Sequence, residues 1–147
     1  MDGRGLRVAL LCTRFHGEIT ETLLERCLAT LADHGVQDDA AEVVRVPGAW
    51  ELPQAAARIA SLDRYDAIVA IGCVIRGDTP HFDYVAGEAT RGLGEVARDY
   101  DRPVIFGVLT TDTEAQAWER AREDGQDKGR ELGLAALEMS LLYRRLA

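Results

Sequence analysis

Residues 72–84 hold the side chains and glycines of this chain that are best suited to chemistry. An apolar run leads into Gly77, Asp78 and Thr79, and His81 follows where a helix is predicted to begin. Backbone amides at a helix N-terminus bind oxyanions and phosphates, and a histidine can move protons near neutral pH. One short loop therefore offers an anion site beside an acid/base group, which favours an enzyme.

Alternating strand and helix patterns predict the scaffold that positions this loop. Apolar runs at 7–12, 42–46, 67–71 and 103–109 predict four strands, the third of them buried on both faces. Helices are predicted at about 19–34, 50–62, 81–99, 113–122 and 127–145, and Thr113 with Gln116 forms a capping box. The alternation predicts a single domain over residues 1–147, a flavodoxin-like three-layer αβα sandwich with a four-stranded parallel sheet of order 2-1-3-4.

Ligands of such sheets bind beyond the carboxyl ends of the strands, and the unusual loops of this chain follow strands. Phe15 follows the first strand and could stack on a planar heterocycle or cap the edge of the sheet. Trp50 and Glu51 follow the second strand. Trp50 could form a pocket wall, and Glu51 could accept hydrogen bonds from sugar-like hydroxyls, although a helix start suits a carboxylate in any case.

Arg120 and Lys128 lie on either side of a predicted break at Gly125. Lys128 is near the start of the last helix, where the helix dipole disfavours a cation, so it is a functional candidate. The planar fork of Arg120 suits a phosphate group. The alternative for both residues is an exposed salt bridge to one of three nearby carboxylates, Glu119, Glu123 and Asp124.

Composition narrows the class of partner. The net charge of −8 argues against a nucleic-acid-binding surface. No apolar run reaches membrane-spanning length, and no signal-peptide pattern is present.

The three cysteines are scattered, as expected for reduced thiols of a cytoplasmic protein. Cys73, beside the key loop, is either a nucleophile or a small strand-end residue. The three histidines lack the spacing of metal ligands.

Two other functions fit the same pattern of elements. A flavodoxin-like module that binds flavin or nucleotide would carry a serine- or threonine-rich phosphate loop after the first strand, where residues 12–16 read CTRFH instead. A catalytically idle assembly or cage protein would not need five such side chains together, namely Phe15, Glu51, His81, Arg120 and Lys128.

In their order along the chain, the motifs resemble those of the 6,7-dimethyl-8-ribityllumazine synthase family, whose members catalyse the penultimate step of riboflavin biosynthesis. The resemblance covers nearly the whole chain, through Arg14-Phe15, VPGAWELP at 46–53, GCVIRGDTPHFDY at 72–84, FGVLTT at 106–111, Gln116-Ala117, Glu119-Arg120-Ala121 and Lys128-Gly129. There are departures from the family pattern, one of them a short N-terminus before the first strand, which is predicted from Arg7. His16 replaces an asparagine that many members carry, and residues 122–127 differ from the commoner form with glycine and asparagine.

The resemblance implies a condensation of 5-amino-6-(D-ribitylamino)uracil with 3,4-dihydroxy-2-butanone 4-phosphate. The products are the lumazine, phosphate and water, and neither a cofactor nor a metal takes part. It implies that Phe15 stacks on the pyrimidine, and that Glu51 and the backbone near Ala49 and Trp50 hold the ribityl chain. Backbone groups of two further residues would meet the edge of the pyrimidine, Val74 and Ile75.

For the second substrate, the resemblance implies that Arg120 binds the phosphate together with the amides of Asp78 and Thr79. His81 would be the proton shuttle. Family sites lie between subunits, so an adjacent chain would supply Phe106 and Lys128. The implied assembly is a homo-oligomer, a pentamer at minimum or a shell of pentamers, with riboflavin synthase as a candidate partner.

Overall fold

The computed structural model describes all 147 residues and contains one sheet of four parallel strands in the order β2-β1-β3-β4. The strands are β1 (Val8–Thr13), β2 (Ala41–Val46), β3 (Ala67–Ile75) and β4 (Val104–Thr111). The predicted order and parallel pairing are therefore confirmed. All carboxyl ends of the strands lie at one edge, where the loops with the candidate residues begin.

Five helices cover the two faces of this sheet: α1 (Gly17–Asp33), α2 (Leu52–Ser61), α3 (His81–Asp99), α4 (Glu114–Ala121) and α5 (Lys128–Leu146). Helices α1, α4 and α5 pack on one face, and α2 and α3 on the other. The predicted capping box of α4 is present, with Thr113 and Gln116 bonded reciprocally. None of the five helices has both the length and the apolar character needed to cross a bilayer.

Alternating side chains of the central strands form two separate cores. In β1, Leu10 and Cys12 belong to the core beneath α1 and α5, whereas Ala9 and Leu11 belong to the core beneath α2 and α3. Because successive strand residues point to opposite faces, a strand with helices on both sides must be apolar throughout. The first eight residues of β3 are accordingly all buried, as predicted.

The structure corrects three predicted boundaries. Strand β3 continues past residue 71 to Ile75, and β4 past residue 109 to Thr111, because each supplies the other's ladder partners. The glycine at 72 suggests a loop, but a Cβ there would lie 3.2 Å from a Leu52 methyl, so Gly72 serves close packing inside the strand. After β2, a 3-10 turn at Ala49–Glu51 precedes α2, which begins at Leu52 and not at residue 50.

Close contact between α1 and α5 depends on glycine, as the four-residue spacing of Gly129 and Gly133 indicates in the sequence. A Cβ on Gly129 would lie 2.4 Å from the Leu23 carbonyl oxygen and 2.7 Å from the Arg26 Cβ. We expect Gly129→Ala to lower the free energy of unfolding by about 1–3 kcal/mol, because the helices must move apart. Chemical denaturation measures the difference.

Gly87 of α3 provides the matched control. Open space surrounds the position of its missing Cβ, so Gly87→Ala should raise the free energy of unfolding by about 0.5–1 kcal/mol through helix propensity. If Gly129→Ala gave the same increase, the proposed close packing of α1 and α5 would be refuted.

Candidate active site

Loops after β1, β2 and β3 enclose an open cavity of about 780 Å³, here called the main cavity. This volume lies in the range of small-molecule sites. The main cavity brings together eight of the predicted residues, namely Phe15, Ala49, Trp50, Glu51, Val74, Ile75, Thr79 and His81.

Aromatic rings at the main cavity are unusually exposed. Phe15 has 66% of its surface accessible and Trp50 52%. The loop that carries Phe15 is fixed, because its amide donates to the Pro47 carbonyl oxygen at 3.0 Å. A ring that caps the edge of the sheet would be buried, so its exposure favours stacking on a planar ligand.

The polar groups of the main cavity sit at helix starts. His81 is the first residue of α3 and is exposed. Asp83 is paired with Arg76 at 3.5 Å and not with the imidazole, as its i+2 spacing predicts. Glu51 immediately precedes α2, where the helix dipole stabilises its charge. The cavity thus offers a carboxylate and an imidazole beside aromatic surfaces.

Cys73 lines the main cavity but is poorly suited to be a nucleophile. Burial, with a smaller contribution from the Glu114 carboxylate, raises the pKa of its thiol to about 11. The thiol is therefore protonated at neutral pH, where only the thiolate attacks effectively. Cys73 fits the alternative prediction, a small apolar residue at a strand end.

The remaining predicted residues lie elsewhere in the same chain. Phe106, Arg120 and Lys128 line a smaller cavity of about 320 Å³ beside β4, here called the second cavity. The two cavities share no lining residue, and exposed Asp78 lines neither of them. His81 and Arg120 of one chain therefore line different cavities.

Neither cation of the second cavity pairs with the three predicted carboxylates, although Lys128 does form a partly exposed salt bridge. Arg120 donates to the Gln116 carbonyl oxygen at 3.1 Å, one turn earlier in α4. Lys128 pairs with Glu131 at 3.2 Å, a carboxylate outside the predicted three. Lys128 is indeed the first residue of α5, where a cation is disfavoured, and its charge remains partly exposed.

Comparison with known proteins agrees with the resemblance of the motifs. Residues 5–144 match the family model for 6,7-dimethyl-8-ribityllumazine synthase. The chain belongs to this family. It is 51% identical over 143 residues to a 6,7-dimethyl-8-ribityllumazine synthase of Gemmatimonas aurantiaca, an alignment that covers 97% of the chain and 87% of the relative. Membership in the lumazine synthase family makes the chain a transferase of riboflavin biosynthesis.

One departure from the lumazine synthase pattern has a local structural basis. His16 adopts a left-handed conformation with φ 54° at the start of α1. Asparagine, which many members carry here, and histidine both adopt that conformation more readily than most side chains. The histidine ring lies 4.5 Å from the Phe15 ring, centroid to centroid. This contact supports Phe15 at the site.

A second departure, residues 122–127, is anchored by a residue that the sequence pattern does not single out. Arg26 of α1 donates to both carboxylate oxygens of Asp127 at 2.9 Å. A Cβ on Gly125 would lie 2.3 Å from the Glu119 carbonyl oxygen, so the turn requires glycine. The pair spans 101 positions of sequence, and nothing in the local pattern around Arg26 indicates it. It fixes the loop that holds Lys128 near Arg120.

Removing the charge of Asp127 tests this anchor. The hydrogen bonds from Arg26 lower the pKa of the Asp127 carboxyl below its usual 3.8. A carboxyl group whose pKa is lowered by folding stabilises the folded state at pH values above its unfolded-state pKa. That stability is lost as the pH falls through the folded-state pKa. We expect Asp127→Asn to cost about 1 kcal/mol of unfolding free energy at pH 7.

Denaturant titrations should show this difference in unfolding free energy between the parent and Asp127→Asn down to about pH 4. The difference should shrink at lower pH. Asparagine tolerates the left-handed backbone of Asp127, so the change isolates the charge. Exposed Asp124 is the control, since Asp124→Asn should leave stability unchanged. An equal loss at pH 3 and pH 7 would rule out the ion pair as the cause.

Proposed function

We propose that this protein condenses 5-amino-6-(D-ribitylamino)uracil with 3,4-dihydroxy-2-butanone 4-phosphate to 6,7-dimethyl-8-ribityllumazine, with release of phosphate and water. One observation carries the proposal. The residues that match the lumazine synthase motifs after three different strands line a single cavity of suitable volume. Residues that are distant in sequence and serve only packing would not include exposed side chains such as those of Phe15, Trp50 and His81.

The main cavity is proposed to bind the pyrimidine substrate. Phe15 stacks on the pyrimidine ring, and the backbone of Val74 and Ile75 meets the ring edge, where β3 ends beside the cavity. Glu51 and the backbone of Ala49 and Trp50 bind the ribityl hydroxyls. A carboxylate suits that role because it accepts several hydrogen bonds.

The phosphorylated substrate is proposed to lie between two copies of the chain. The amides of Asp78 and Thr79 bind the phosphate from one copy, and Arg120 binds it from the next. Phe106 and Lys128 share the second cavity with Arg120, so one neighbour supplies all three. The separation of the two cavities within a chain supports this arrangement, because a complete site then requires two subunits.

The chemistry requires proton transfer and charge stabilisation but no covalent enzyme intermediate. The aromatic amine attacks the ketone and forms an imine with loss of water, phosphate is eliminated, and ring closure releases a second water. His81 relays protons in these steps. Arg120 and the loop amides stabilise the departing phosphate, and much of the acceleration comes from holding the two substrates together.

The direct test mixes the purified protein with both substrates and follows lumazine fluorescence. We expect saturable product formation well above the rate without protein. No increase over that blank would contradict the proposal. Flavin absorbance that persists through purification, together with no lumazine formation, would favour the flavin-binding alternative.

We further propose a pentamer as the minimum assembly, acting in the cytoplasm, with riboflavin synthase as a candidate partner. All three cysteines are free and buried, which suits a reducing compartment. Sedimentation velocity distinguishes a pentamer, a decamer and a shell. A stable monomer that is fully active would refute the shared site.

A further inference from the structure

Arg76, at the end of β3, contacts three neighbours that surround the loop before His81. Its Nε donates to Asp112 at 2.8 Å, and its Nη1 lies 3.5 Å from Asp83 in the first turn of α3. Its guanidinium carbon lies 4.4 Å from the centroid of the Phe82 ring. One side chain therefore joins the end of β4, the start of α3 and the end of β3.

The loop between Arg76 and α3 depends on these contacts for its shape. Residues 77–80 are all exposed, so they gain little from packing. The Arg76 amide fixes one end of the loop by donating to the Thr111 carbonyl oxygen at 2.9 Å. The Arg76 side chain fixes the other end through Asp83 and Phe82, whose ring also packs on the core beneath α2 and α3.

We infer that Arg76 is a positioning residue, which holds the loop amides and His81 in the geometry that the proposed reaction needs. The inference rests on the proposed function. Its physical basis is that Arg76 makes contacts at both ends of the loop. Without the Arg76 side chain, no contact of that residue would connect the start of α3 to the end of β4. A displacement of about 1 Å at such a site can cost roughly 10²-fold in rate.

Arginine suits this role better than lysine. Its planar group has separate donors for Asp112 and Asp83 while one face lies over the Phe82 ring. A lysine has a single point charge and cannot make all three contacts at once. Arg76→Lys should therefore restore only part of what Arg76→Met loses.

The kinetic test compares Arg76→Met with Arg4→Met, which breaks an exposed arginine–aspartate pair remote from the loop. We expect Arg76→Met to lower kcat/KM for the phosphorylated substrate about 10- to 100-fold. The KM for the pyrimidine substrate should change less than about twofold, because Phe15 and Glu51 lie on other loops. Arg4→Met should leave both constants unchanged.

A double-mutant cycle separates positioning from direct phosphate binding. If Arg76 acts through Asp112, Asp112→Asn should lower the same kcat/KM. The double variant should then lose less than the product of the two single fold-losses. Wild-type kinetics in Arg76→Met would overturn the inference. Loss in Arg76→Met with wild-type kinetics in Asp112→Asn would also overturn it and make Arg76 a substrate ligand.

Hydrogen exchange tests the structural part independently of turnover. Amides of residues 77–83 should exchange faster in Arg76→Met than in Arg4→Met, while those of the Phe15 loop do not. Unchanged exchange at 77–83 would refute the inference even if the protein makes lumazine. Faster exchange in a protein that makes no lumazine would support the positioning of residues 77–83 by Arg76 and refute only the proposed function.

Discussion

Arg120→Ala should lower kcat/KM for the phosphorylated substrate by about 10²- to 10³-fold. Truncating one partner of a buried charge pair costs about 2–5 kcal/mol, and each 1.4 kcal/mol is a factor of ten. The effect is specific because Arg120 makes one backbone hydrogen bond in its own chain, to Gln116, and most of its donors remain free for a phosphate. Saturation kinetics in each substrate measure it.

The fold should survive this change, because Arg120 is only half-buried and makes a single side-chain hydrogen bond in its own chain. The matched control is Arg122→Ala, two residues on, which removes an exposed arginine outside both cavities. Arg122→Ala should keep wild-type constants, and Arg120→Lys should keep a fraction of the activity as a point charge. Normal saturation of Arg120→Ala by the phosphorylated substrate would exclude Arg120 as a phosphate ligand.

His81→Ala should slow kcat by about 10²-fold while the KM values change little. General acid–base catalysis contributes at least that factor in typical enzymes, and a group that acts mainly in the transition state affects kcat more than binding. The start of α3 should persist, because His81 is exposed and the Asp83 amide still donates to the Pro80 carbonyl oxygen. Stopped-flow fluorescence of the product measures turnover.

His34→Ala is the control for loss of an imidazole. His34 bonds to the Thr30 carbonyl oxygen at 2.9 Å at the end of α1, far along the chain from the proposed site. His34→Ala should lower the free energy of unfolding and leave kcat unchanged. Turnover of His81→Ala equal to that of the parent, with both substrates saturating, would remove His81 from the mechanism.

The scaffold was readily predictable because its signals are local. Apolar runs and helical spacing depend on residues a few positions apart. The strand order followed from general rules of parallel sheets. The strand ends at Ile75 and Thr111 were missed because they depend on each other's hydrogen bonds across the sheet, which no local window contains.

The sequence indicated candidate residues but not how folding distributes them between cavities. Phe15, Glu51 and His81 stand out by type and by their position after strands, and they line the same cavity. Arg26 and Arg76 do not stand out, because arginines are common on the surface and their partners lie 101 and 36 positions away. Only folding brings those partners together.

By itself, the sequence determined the family, the order of the strands and the residues able to do chemistry, because side-chain type and short-range spacing carry that information. Tertiary structure alone decided that His81 and Arg120 of one chain line different cavities. The physical reason is that α3, which carries His81, and α4, which carries Arg120, pack on opposite faces of the sheet. The position of each helix on its face depends on packing and on hydrogen bonds between distant segments.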